Sequence, residues 1–304
     1  MLMELLYFAV AVAMAMSSTK FIADFLSTIA HSKGIPEYLA STLILSATIT
    51  FPVFLITLIS NLLDMPEMGM MIVIGTALAM MSIIMGFFLI TSKRKLSYER
   101  NRNSTFLWAA ALLLLITAED GLIDRMDAIF MLLLFAFYTM YLYYNTKRSK
   151  EYAYLKVKPH NIILLPMSVF ALLISSYLIV LVGDLLMSSL HIHPLIFMTG
   201  VVSLFLTLPL INVMKNVFGR ARVIFDNIVS NAILLLTLVP GFSALINPMP
   251  YWSPSRVELV PLIAVNMLCL MFAIITKAKA KIGKKLGWAL ILLYLLSLTY
   301  LLFR

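Results

Sequence analysis

The chain has 304 residues, of which 62% are hydrophobic and 12% charged, with a mean hydropathy of +1.00, whereas a soluble globular chain is about 45–50% apolar and about 25% charged. That composition excludes a soluble enzyme, a disordered chain and a nucleic-acid module, and it predicts an all-α polytopic membrane protein. The formal charge of +9, from 23 basic and 14 acidic residues, would suggest a polyanionic partner in a soluble protein; here it is read first against the bilayer.

A spanning helix needs about 20 mostly apolar residues. Such runs predict about ten transmembrane helices, over residues 4–30, 38–61, 67–91, 105–118, 127–145, 161–190, 194–216, 223–246, 257–276 and 286–303. The first begins at Glu4 without a basic leader or a small-residue cleavage site, so it is expected to be retained. Cys269 lies in the ninth run and supports neither a disulfide nor a metal cluster.

Charge tests the helix count. The connections after helices two, four and eight are acidic or neutral, with Asp64 and Glu67 in the first and Glu119, Asp120 and Asp124 in the second. The connections after odd-numbered helices hold nineteen of the 23 basic residues, from Lys33 through the 93–102, 147–158 and 215–222 clusters to the lysines of 277–285. Cytoplasmic loops collect Lys and Arg, which predicts a multi-pass protein of the cell membrane with both termini outside and the basic loops cytoplasmic. The lysine series reads as an anchor on anionic lipid, with no nucleic-acid partner.

The basic loop at 147–160 divides the chain into two sets of five helices, 1–146 and 161–304. An odd number per half makes the second enter from the opposite side, so the expected architecture is two inverted five-helix repeats. Weak internal similarity agrees. Asp24 is followed seven residues later by His31, and Asp184 by His191; Thr50-Phe51-Pro52 parallels Thr207-Leu208-Pro209; Gly75-Thr76-Ala77 parallels Val229-Ser230-Asn231. The offsets are 160, 157 and 154 residues, in a fixed order.

This order, an acid late in helix one, a Thr-x-Pro segment in helix two, a small-hydroxyl segment in helix three and the same again in helices six to eight, resembles the cation/calcium exchanger superfamily, which includes sodium/calcium and calcium/proton antiporters. Asp120 to Arg125 also resembles that family's start of helix five. The resemblance implies a secondary transporter working by alternating access, with Na⁺ or H⁺ coupling. It also locates the departures. The two family carboxylates after the prolines are Val53 and Leu210 here, and the amide or acid one turn beyond each small-hydroxyl residue is Met80 and Leu234. What survives is Thr50, Thr76, Thr207 and Ser230, with Asn231 on the second side.

A proline inside a helix removes one backbone hydrogen bond, so Pro52 is expected to free the carbonyl of Thr48 and Pro209 that of Phe205. Carbonyls and hydroxyls suit Na⁺ or water-linked cation passage. A dehydrated divalent ion is normally held by six to eight oxygens that include carboxylates, so Ca²⁺ affinity is expected to be weak. The plainer reading is that these hydroxyls bond their own helix and that the kinks are structural. Asp226, four residues before Ser230, shares its face. It is an acid or proton-carrying candidate, or else a cap or ion-pair partner of Arg220 or Arg222.

The remaining features read as structure. Lys20 and Asp24 form an i,i+4 pair, Glu37 suits a helix start, and His191 and His193 read as surface residues. Met65 to Met71 with Met80, Met81 and Met85 read as packing filler rather than a soft-metal path. Tyr138, Tyr141, Tyr143 and Tyr144 read as an interfacial belt. No Walker loop, zinc spacing or Ser/His/Asp order is present, so neither an enzyme nor a cofactor is expected. A rival from another class is a degenerate fold without transport, kept as a membrane scaffold or partner-binding protein, which the apolar Val53, Leu210, Met80 and Leu234 motivate.

Overall fold

Nine helices form among the residues that the computed structural model describes, which are 2–33, 35–36, 39–91, 103–117, 120–146, 164–190, 196–207, 221–250 and 284–302. They are α1 (Leu2–Ser32), α2 (Ala40–Leu45 and Ser46–Leu62), α3 (Pro66–Ala79, Met80–Ile84 and Met85–Thr91), α4 (Asn103–Thr117), α5 (Arg125–Thr146), α6 (Leu164–Leu190), α7 (Ile196–Thr207), α8 (Ala221–Ile246) and α9 (Lys284–Leu302). Each lies over a run that hydropathy predicts. The predicted ninth helix, the basic loop 147–158, and Glu37, His191, His193, Pro209, Leu210 and Cys269 lie outside the described residues. Six helices, α1, α2, α3, α5, α6 and α8, are long and apolar enough to cross a membrane.

The helix ends follow local chemistry. Asp64 takes a left-handed φ of 58° just beyond α2, and Pro66 then occupies the first turn of α3, where its missing N–H is not needed. Before α5, Gly121 has φ 85°. Asp124 Oδ1 accepts from the Asp127 N–H at 2.8 Å, and Asp127 Oδ2 accepts from the Asp124 N–H at 3.2 Å. This reciprocal pair satisfies two amides that a helix start would otherwise leave open. The same loop forms a short antiparallel ribbon, Leu122 opposite Pro250 and Ile123 opposite Met249, tying the start of α5 to the end of α8.

Three π-helical segments lie among the described residues; one, Met80–Ile84, is inside α3, and the other two stand at parallel places. Ala40–Leu45 opens α2 directly before Ser46, and Ile196–Val202 opens α7 directly before Ser203. Wider turns of this kind are rare and frequent at functional sites, because they re-aim the side chains that follow.

The core is made by α2, α3 and α8, with α3 and α8 the most deeply enclosed. A helix that is apolar all round belongs inside. Met68, Met70, Met71, Met80, Met81 and Met85 are all buried there, as packing filler. Around this centre, α2 packs on α8 and α7 on α3; α5 packs on α8 and α9 on α3. α1 and α6 form the largest helix–helix contact and stand to one side. The α3–α9 crossing is close enough that a Cβ on Gly86 would lie 2.7 Å from the Gly287 carbonyl oxygen, and one on Gly287 2.6 Å from that of Gly86. Lys20 and Asp24 lie on the exposed side of α1.

Candidate functional site

The site grows from a polar stripe on α2. Ser46, Thr50, Thr57 and Asn61 recur at intervals of four or seven, so they share one face; all four are buried. Ser46 Oγ accepts from Asn227 Nδ2 at 3.0 Å and donates to the Asn227 carbonyl at 3.3 Å. Thr50 Oγ1 donates to Asn231 Oδ1 at 2.6 Å. Asn61 Nδ2 reaches the Ser243 carbonyl at 2.9 Å, its hydroxyl at 3.1 Å and the Asn247 carbonyl at 2.8 Å. The partners are offset by 181, 181 and 182 residues for the first atom of each group. A constant offset means that α2 and α8 run parallel and in register, over roughly 23 Å of helix rise.

The second crossing, α7 on α3, is built differently. Thr199 Oγ1 donates to the Met71 carbonyl at 3.3 Å and Ser203 Oγ to the Ile72 carbonyl at 3.3 Å. A Cβ on Gly75 would lie 2.5 Å from the Thr199 carbonyl oxygen and 2.6 Å from its Cα. Only a glycine lets these two backbones approach so closely.

Of the residues expected to bind ions, Thr50 and Asn231 are brought into contact, and Ser230 is buried beside Asn231 on α8. Thr207 is buried, and its hydroxyl bonds the Leu204 carbonyl at 2.7 Å, the local back-bond that the plainer reading expects. Thr76 is buried next to the Gly75 crossing. Pro52 lies inside α2 and is buried; Pro209 is outside the described residues. The sequence did not single out Pro240, a second proline inside a core helix.

Asn231 Nδ2 and Thr76 Oγ1 are buried and have no hydrogen-bond partner among the described residues. Leaving such an atom dry costs about 1–3 kcal/mol. Nδ2 carries only protons, so its complement must present an acceptor, as water does and a bare cation does not. Val53, Met80 and Leu234 are 2%, 1% and 0% exposed. Three positions where the resembling family carries acids or amides are therefore packed apolar.

Asp226 is the only charged side chain buried among the described residues, at 3% exposure. It lies five residues after Ala221, where the described part of α8 begins, on the same helix as Ser230. The belt reading of Tyr138 is corrected. Tyr143 and Tyr144 are exposed, but Tyr138 is fully buried and its hydroxyl meets that of Ser230. The available signal was its register with Met131 and Leu142, both fully buried on the inner face of α5.

Residues 3–144 match the family model described as sodium/calcium exchanger protein. No curated protein matches the chain. Among solved structures the chain is similar to the H⁺/Ca²⁺ exchanger CAX, at 18% identity over 97% of this chain and 82% of that one, with a TM-score of 0.79. It is also similar to the sodium-calcium exchanger NCX_Mj, at 16% identity over 98% of each chain, with a TM-score of 0.64. At these identities the likeness to solved structures is one of fold.

Proposed function

We propose, from the match of residues 3–144 to the sodium/calcium exchanger family model, that the chain is a member of the cation/calcium exchanger superfamily and a secondary transporter moving cations by alternating access. Thr50, Thr76, Thr207, Ser230 and Asn231 supply neutral ligands, together with carbonyls freed by Pro52 and Pro209. Coupling is to Na⁺ or H⁺, with Asp226 as the proton-carrying acid. Both termini are outside and the basic loops cytoplasmic. The exchange of partners between halves, α2 on α8 against α7 on α3 and α5 on α8 against α9 on α3, supports two inverted repeats. The parallel run of α2 and α8 supports an odd number of spans between them.

The observation that carries the reading is the hydroxyl–amide pair Thr50–Asn231 beside an unpartnered Asn231 Nδ2. An acceptor for that amide is supplied by a water of hydration, and hydroxyl oxygens face a cation through their lone pairs. A hydrated monovalent ion fits both. A bare Ca²⁺ would leave its second charge uncompensated among Val53, Met80 and Leu234.

Proteoliposome flux driven by a sodium or proton gradient tests this. The expected result is gradient-driven movement of a monovalent cation, with calcium carried only at high concentration. Calcium uptake with micromolar affinity overturns the weak-calcium claim. Absence of flux for Na⁺, K⁺, Ca²⁺ and Mn²⁺ overturns transport. Asp226→Asn is expected to abolish the dependence on a proton gradient, and unchanged dependence removes Asp226 from its role.

A further inference from the structure

A hydroxyl that ligates a cation through oxygen must send its own proton elsewhere, because the two positive charges repel. In a dry helix bundle the acceptor for that proton has to be built in. Thr50 has one in Asn231 Oδ1, at 2.6 Å. Ser230 sits on the same turn of α8 as Asn231, and the group that meets its hydroxyl is the Tyr138 phenol of α5.

The phenol is held firmly. Its residue is fully buried, and its ring packs on Phe106 of α4 with centroids 5.3 Å apart at 55°. Phe106 is itself held by Tyr141, at 5.0 Å and 39°. Three residues on two helices thus fix where the phenol oxygen stands, while α5 packs along α8.

Resting on the cation-site reading above, we propose that Tyr138 is a positioning residue whose phenol oxygen accepts the Ser230 proton and turns the serine lone pairs toward a cation. The pair carries no formal charge. Oriented dipoles of this kind hold a single positive charge but leave a second one poorly compensated. Tyr138 therefore favours monovalent over divalent ions, from outside the four helices that carry the repeated hydroxyl segments.

The test uses the full-length protein in detergent and in proteoliposomes, with NaCl and CaCl₂ as probes. Tyr138→Phe keeps the ring against Phe106 and removes the acceptor. The half-saturating Na⁺ concentration is expected to rise about five- to tenfold, as for loss of one neutral hydrogen bond. Maximal flux and the ion-free melting temperature should change little, a split that a purely structural role would not give. Ser230→Ala should weaken Na⁺ binding comparably, and Tyr138→Phe added to it should contribute nothing more. Tyr138→Gln, which keeps an acceptor oxygen, should recover part of the affinity if the phenylalanine variant folds poorly. Unchanged half-saturation in Tyr138→Phe, or independent effects of the two substitutions, overturns the proposal. A wild-type protein that binds neither ion overturns the cation-site reading itself, which separates that failure from this one.

Discussion

The two central crossings do the same job with different chemistry. Where α2 meets α8, side chains bridge the helices: Ser46 to Asn227, Thr50 to Asn231, Asn61 to Ser243 and Asn247. Where α7 meets α3, the backbones themselves close up around Gly75, and two hydroxyls bond carbonyls of the facing helix. Amide bridges can exchange donors and acceptors with little movement, so the first crossing can answer to an occupant. A glycine contact has one arrangement, since packed backbone does not deform continuously. The two crossings thus divide the work, one polar and adjustable and the other fixed.

The fixed crossing is where substitution should do most damage. Val229 stands opposite Gly75 in the sequence parallel of Gly75-Thr76-Ala77 with Val229-Ser230-Asn231, so Gly75→Val introduces the residue that the second segment carries. Its Cβ would lie 2.5 Å from the Thr199 carbonyl oxygen, against backbone that has nowhere to go. Overpacking of this kind costs about 3 kcal/mol or more, read as lost thermal stability in detergent. A variant as stable as wild type would break the contrast between the crossings.

Asn61→Leu attacks the adjustable crossing away from the residues proposed to bind the ion. The buried carbonyl of Ser243 and the part-buried carbonyl of Asn247 would lose their side-chain donor, at about 2 kcal/mol. Thermal unfolding should show this loss while half-saturating Na⁺ stays unchanged. If Na⁺ affinity falls with it, the staple and the site are one unit and the crossing is less divisible than drawn.

Asn231→Asp sharpens the comparison through charge. It replaces an unpartnered donor by a carboxylate among neutral ligands, which is expected to raise Ca²⁺ affinity about tenfold, or about 1.4 kcal/mol. Calorimetric titration with CaCl₂ decides it. No gain would mean that Asn231 Nδ2 does not face the ion.

Much of this was legible in the sequence. Hydropathy located the described helices to within a few residues, apart from the end of the run predicted to reach 216, which lies outside the described residues, because a bilayer imposes a length and an apolar composition on each span. The order of hydroxyl and proline segments brings out Thr50, Ser230 and Asn231, of which Thr50 and Asn231 are in contact. Hydropathy could not see the π segments at Ala40–Leu45 and Ile196–Val202, since a wider turn leaves the apolar run unchanged. Tyr138 was misread because its neighbours in sequence, Tyr143 and Tyr144, do face outward. Only the registry of α5 against α8 separates them. Gly75 stands out in the sequence only through its parallel with Val229, and its close approach to Thr199 is a tertiary fact.

The smallest expected effect is the most discriminating. Thr76→Val keeps volume and branching while removing a buried hydroxyl that has no partner among the described residues. In the empty protein nothing is lost, and relief of an unmet hydroxyl should leave stability unchanged or raise it by up to about 1 kcal/mol. With Na⁺ present, the wild-type hydroxyl gains the partner it lacks, so the ion-induced rise in melting temperature should be smaller in the variant. The sign of the effect therefore reverses with the ion. A packing role for Thr76 gives the same shift with and without Na⁺, and would remove α3 from the ligand set, leaving the adjustable α2–α8 crossing to hold the cation alone.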